Sequence, residues 1–132
     1  MKQVMNRSYC KILIFIFILI MTGCSSSVQM SSYIPSEGGD AWRINVFEKS
    51  SITKFMPEYI CEINDSVVIK ESFPVSGGKS FVKKGKYRGK LVEMNGFKIS
   101  ASATDKDGTV FYKNTYSIRI LIDHVLIDIF EF

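Results

Sequence analysis

Hydrophobic and polar positions change character at two points along the chain. Ile12 to Met21 is an unbroken apolar run, preceded by Lys2, Arg7 and Lys11 with no acid among them. Residues 25–40 then read SSSVQMSSYIPSEGGD, the composition of a flexible coil reaching on the order of 20 Å. From Ala41 onward, short alternating or apolar runs are separated by turn residues. None of them sustains the 3.6-residue repeat of an amphipathic helix.

The runs after Ala41 predict strands. Trp42 to Glu48 alternates, and Glu58 to Ile63 and Val67 to Phe73 flank Asn64-Asp65-Ser66, a tight hairpin signal. Tyr87 to Met94 and Phe97 to Ala103 flank Asn95-Gly96, the strongest two-residue hairpin signal available. Asp107-Gly108 turns the chain into Thr109 to Lys113, and Asp123-His124 joins Ser117–Ile122 to Val125–Phe132. Six to eight short strands at this spacing predict an all-β domain over residues 41–132, a small antiparallel sandwich or barrel-like fold with a buried last strand. Gly85-Lys86-Tyr87 resembles the Gly-x-Tyr that opens a strand in immunoglobulin-like and transthyretin-like sandwiches, which implies a tyrosine hydroxyl tied back to the backbone at a corner.

The ten-residue apolar run would span about 15 Å as a helix, half of a hydrocarbon core of roughly 30 Å. Its length and basic flank are those of a secretory signal. Met21-Thr22-Gly23-Cys24, which follows, resembles the lipobox of bacterial lipoproteins: an apolar residue, two small ones, then a cysteine. The leading position in that family is most often leucine, where this chain has Met21. The small residues give a peptidase access to the bond, and the thiol accepts a diacylglyceryl group. The resemblance implies that residues 1–23 are removed, that Cys24 becomes a lipidated first residue, and that residues 24–40 tether the β-domain to a membrane. Ser25 is similar to the sorting residue that sends lipoproteins to the outer membrane, facing the periplasm, in a Gram-negative envelope.

Removal of the signal changes the charge. Three of the 17 basic residues lie in it and none of the 13 acids, leaving 14 against 13. A nearly neutral mature chain gives no ground for a nucleic-acid partner. Of the three cysteines, Cys10 leaves with the signal and Cys24 is consumed by lipid, so Cys61 has no partner for an intramolecular disulfide. It lies in an apolar stretch and reads as a buried small hydrophobe, the alternative being an intermolecular bridge or a reactive thiol.

Candidate chemistry is sparse. Ser76-Gly77-Gly78-Lys79-Ser80 lacks the first glycine of a phosphate-binding loop, since that position is Phe73. Asp105-Lys106-Asp107-Gly108 lacks the acid that closes a calcium loop, since position twelve is Tyr116. His124 is the only histidine, so no zinc-ligand spacing exists, and neither a metal nor a cofactor is expected. The terminal Phe132 resembles the last residue of outer-membrane barrels, but eight spanning strands with turns would nearly exhaust or exceed residues 41–132, and Val125 to Phe130 is apolar on both faces where a barrel wall is polar inside.

The notable surface feature is Lys79, Lys83, Lys84, Lys86, Arg88 and Lys90, interleaved with Phe81 and Tyr87. It reads either as a solvated edge strand, where lysines discourage aggregation, or as a docking edge for an anionic envelope component or another envelope protein. The sequence thus predicts a non-enzymatic binding or accessory lipoprotein. The alternative is an inhibitor or immunity lipoprotein. Membrane-bound lysozyme inhibitors are similar in size and architecture, and Ser76-Gly77 resembles their inhibitory Ser-Gly loop at a shifted position.

Overall fold

The computed structural model describes residues 26–50 and 55–132. Eight strands follow one another: β1 (Ser26–Tyr33), β2 (Trp42–Lys49), β3 (Glu58–Ile63), β4 (Ser66–Ser72), β5 (Ser80–Tyr87), β6 (Lys90–Thr104), β7 (Val110–Ile122) and β8 (Val125–Glu131). They form two antiparallel sheets, β1-β2-β3-β4 and β5-β6-β7-β8, in which each strand pairs only with its neighbours in sequence. The domain is therefore the all-β sandwich that the strand spacing predicts. Period-two alternation points Ile44 and Val46 of β2 and Tyr59, Cys61 and Ile63 of β3 into the interior. Val92 and Met94 of β6 and Ile118, Ile120 and Ile122 of β7 meet them from the second sheet.

Three hairpins close through two residues that both have positive φ: Asn64 and Asp65 (48° and 64°), Arg88 and Gly89 (49° and 81°), and Asp123 and His124 (48° and 68°). That backbone matches the right-handed twist of the flanking strands. Two of these turns are built alike. The Asn64 N–H donates to the Arg43 carbonyl at 2.9 Å while its side-chain oxygen accepts from the Arg43 N–H at 2.8 Å. Asp123 does the same to Leu91, at 2.9 Å in both directions. A register shift also precedes each turn at the same distance, between Cys61 and Glu62 and between Ile120 and Leu121.

The two ends of the sandwich differ. One holds these turns and a chain of edge-to-face rings, Tyr33 on Trp42 (5.4 Å) and Trp42 on Tyr87 (4.9 Å). The other holds Tyr59 packed among Phe73, Phe81, Tyr116 and Phe132. Lys49, Glu58 and Ser72 lie across the first sheet at this second end, beside Ser26 at the start of β1. From the same end β6 and β7 run on past the second sheet as a two-stranded ribbon, because β5 pairs only as far as Phe97 and β8 only as far as Ser117.

Four expectations need correction. β1 occupies the stretch expected to be a flexible tether, pairing Ser26–Tyr33 with Lys49–Trp42. Its exposed residues include Val28 and Met30, while Gln29, Ser31 and Tyr33 are half-buried, so main-chain hydrogen bonds and the Tyr33–Trp42 contact hold it rather than an apolar face. The Gln29 amide also donates to the Glu131 carbonyl, joining β1 to β8. Asn95-Gly96 is no turn: β6 runs straight through it, and the ring of Phe81 occupies the space where a Gly96 side chain would stand. The strand partner there needs a residue without Cβ. β8 is not buried but lies at a sheet edge, with Val125, Leu126 and Ile129 exposed. The Tyr87 hydroxyl, finally, takes a hydrogen bond from the Asn64 side chain at 3.3 Å instead of a backbone group.

Gly85 and Gly96 give a graded test of this packing. A Cβ on Gly85 would lie 2.7 Å from the Val68 carbonyl oxygen, and backbone cannot swing away. Gly85→Ala should cost about 1–3 kcal/mol in urea unfolding. Gly96→Ala, opposed by the movable ring of half-buried Phe81, should cost less. The reverse order would contradict the sheet-to-sheet contact described for β4 and β5.

Candidate functional site

Cys24, the expected lipid-bearing residue, lies outside the described residues, as does the Met21-Thr22-Gly23 that precedes it. The six expected surface cations fall on or beside β5, which is an edge of the second sheet. Alternation divides them. Phe81, Gly85 and Tyr87 turn inward, and Lys83 on that same side reaches across to β4, where its Nζ is 3.1 Å from Glu71. Lys84 and Lys86 turn outward with Val82, and Lys84 lies 3.7 Å from Glu93 on β6. Lys90 is the most enclosed, its Nζ 2.7 Å from Glu37 and 3.1 Å from Asp123.

Those contacts perturb both partners. The hydrogen bond that Lys90 donates to Glu37, with the one it donates to Asp123, raises Lys90 above the ordinary lysine range. The Leu91 N–H, aided by Lys90, holds the Asp123 carboxyl below the usual carboxylate range. Both groups thus stay charged at neutral pH and fix the β5–β6 turn against the β7–β8 turn. Lys79, Lys86 and Arg88 make no ion pair among the described residues, although Arg88 stands over the Tyr87 ring at 5.5 Å. The basic stretch is therefore two sets: Lys83, Lys84 and Lys90 hold the sandwich, and Lys79, Lys86 and Arg88 face outward with their charge uncommitted.

The register also assembles a group that no spacing in the sequence suggests. Glu93 is nearly buried on the outer face of the second sheet, between Lys84 of β5 and His124 of the β7–β8 turn. His124 Nδ1 is 2.6 Å from Glu93 Oε1, without the alignment of a hydrogen bond at that oxygen. Only the pairing of three strands brings these side chains together. Ser76 and Gly77 sit in an exposed turn between β4 and β5, closed by the Gly77 N–H on the Pro74 carbonyl at 3.3 Å. They adjoin the outward cation Lys79. Asp105 to Gly108 form the ribbon's turn, with the Gly108 N–H donating to the Asp105 carbonyl at 2.9 Å.

Cys61 and His124 do not meet. Cys61 is sealed in the core of the first sheet, and His124 stands exposed on a turn of the second. Among the described residues there is no cluster of three or more histidine, cysteine, aspartate or glutamate side chains able to hold a metal ion. No helix among them is long and apolar enough to cross a membrane. No family model, curated protein or solved structure significantly matches this chain.

Burial pushes the Cys61 thiol up to about 12, with Glu62 adding to the rise. The folded thiol keeps its proton while an unfolded one loses it from about pH 9, so stability is full below pH 9 and falls as pH climbs toward 12. The fall should be about 1 kcal/mol per pH unit in urea titrations, and Cys61→Ala should flatten its lower part. Tyr59, likewise raised by burial, steepens the upper part. A thiol reagent should modify Cys61 only at the rate of unfolding; immediate modification would contradict its burial.

Proposed function

We propose that the mature protein is a lipid-anchored, non-enzymatic binding module of a bacterial cell envelope. The observation that carries this is Met21-Thr22-Gly23-Cys24 directly after a basic flank and a ten-residue apolar run. In a Gram-negative host Ser25 favours the outer membrane, with the domain in the periplasm. The partner on this reading is a protein or anionic component of the envelope, met by the outward cations Lys79, Lys86 and Arg88. No cofactor and no nucleic acid enter it.

A second reading, an inhibitor of a lysozyme or an immunity protein against a toxin, uses the same edge. It is favoured by the exposed Ser76-Gly77 turn beside Lys79, where a short loop and a cation project together from the sandwich. Slower muramidase digestion of peptidoglycan in the presence of the purified protein would select it over a general binding role, and unchanged digestion would remove it.

Anchoring is tested by the mass and partition of the chain expressed in a Gram-negative host. The processed protein should begin at Cys24, carry acyl chains and enter the detergent phase; Cys24→Ser should keep the signal attached and carry no acyl mass. An unmodified cysteine in the wild-type protein would refute the anchor.

Docking through β5 is tested by capture from the native membrane. The triple variant K79E/K86E/R88E should lose the captured partner while its stability stays within about 0.5 kcal/mol of wild type, because these side chains are exposed. Retention of the partner would reject the edge.

A further inference from the structure

We propose that the β6–β7 ribbon is a membrane-contacting arm, lying along the headgroup region of an anionic bilayer with Ile99 and Phe111 turned toward the acyl chains. The inference rests on the lipid anchor at Cys24 and on three observations about the end of the sandwich where β1 starts.

The first is distance. Cys24 stands two residues before Ser26, so the anchored residue can lie no more than about 7 Å from the start of β1. The ribbon leaves the same end and extends from the Ile99↔Thr115 pair through the Thr104↔Val110 pair, a length of about 20 Å. An anchor this short brings the bilayer surface within the ribbon's reach. The arm then enters the bilayer or lies against it.

The second is the pattern of its two faces. Continuing the alternation of β6 and β7, the face shared with the outer side of the sheet carries Ile99, Ala101, Ala103 and Phe111, with Lys113 and Arg119 beside them. The opposite face carries Val110 and the Tyr112 ring among hydroxyls and amides, including Ser100 bonded to Asn114 at 2.8 Å. An apolar face edged by cations fits the boundary between acyl chains and anionic headgroups. Asp105 and Asp107 are confined to the turn. Carboxylates are strongly disfavoured at the bilayer centre, so the turn stays at the headgroups and the ribbon lies flat.

The third is the placing of exposed rings. Among the described residues the exposed aromatic side chains are Phe55 (96%), Phe111 (56%) and Tyr112 (78%). Phe55 belongs to the β2–β3 connection, and all three stand at the β1-start end. Elsewhere on the sandwich the aromatic rings are at least half-buried. A two-stranded ribbon is marginal by itself in water, and a bilayer would cover the face that the sandwich leaves open.

The test uses the lipidated full-length product, reconstituted in phosphatidylethanolamine–phosphatidylglycerol vesicles with and without brominated acyl chains. Phe111→Trp adds an indole on the arm, Val67→Trp adds one at the far end, and the buried native Trp42 is common to both proteins. Bromolipid should quench the added indole of the Phe111→Trp protein at least about twofold and leave that of the Val67→Trp protein unchanged. Equal quenching of the two overturns the arm. So does a blue-shifted, unquenched indole in the Phe111→Trp protein accompanied by a dimer mass, which would assign the face to a second copy of the chain. Mass spectrometry of the same sample separates the premises. An unacylated chain overturns anchor and arm together, and an acylated chain whose arm indole is unquenched overturns the arm alone. As a second readout, wild type in vesicles should resist trypsin at Lys106 and Lys113, and Ile99→Ser with Phe111→Ser should restore cleavage; equal cleavage of the two proteins would count against the arm.

Discussion

Register is the constraint from which the rest of this domain follows. Each strand of the inner pairs β2–β3 and β6–β7 turns one face to the core, so a slip of one residue in either sheet would expose Ile44, Val46, Cys61 and Ile63, or Val92, Met94, Ile118 and Ile120. The fold fixes that register at one end by the clasps of Asn64 on Arg43 and Asp123 on Leu91. Each clasp ties a hairpin turn to the strand beside it through backbone and side chain at once. The ion pairs that look like surface decoration serve the same purpose. Arg43 forks onto both Asp65 oxygens, and Lys90 bridges Glu37 and Asp123, each at a turn.

Much of this was legible in the chain. The alternating runs revealed most of the strands, Asn64-Asp65 and Asp123-His124 marked two of the hairpins, and the isolated Cys61 proved to be a core residue. The failures share a cause. Local signals describe what a residue tolerates, whereas its place is set by a partner far along the chain. Asn95-Gly96 has the chemistry of a turn, yet its glycine is needed because the Phe81 ring lies against it. The serines of β1 have the composition of a tether, yet their main chain completes the ladder of β2. β8 is apolar on both faces over most of its length and reads as buried, but it ends the sheet and leaves Leu126 and Ile129 uncovered.

The candidate edge shows the same limit. Six cations between Lys79 and Lys90 are visible as a run, but not which of them the fold consumes. Only the pairings across β4, β6 and the β7–β8 turn separate the three held in place from the three that face outward. The Glu93–His124 contact is invisible for the same reason, its members being thirty-one positions apart and joined through the β6–β7 register. Loss of the tether changes the functional picture most. With Ser26–Tyr33 paired to β2, little of the expected spacer is left between the sandwich and Cys24, the anchor on the proposed reading.

The strictly sequential strand order has a consequence for how the protein is made. No strand waits for a distant partner to complete its ladder, since every pairing joins neighbours along the chain. A chain emerging from its N-terminus can therefore lay down the first sheet by local hairpins alone, with small loop-closure entropies at each step. Its apolar face remains open until β6 and β7 arrive, and that interval is its period of greatest risk of aggregation. The bond between Gln29 and Glu131, 102 residues apart, belongs to the last step. It joins the first strand to the last only after everything between them is in place.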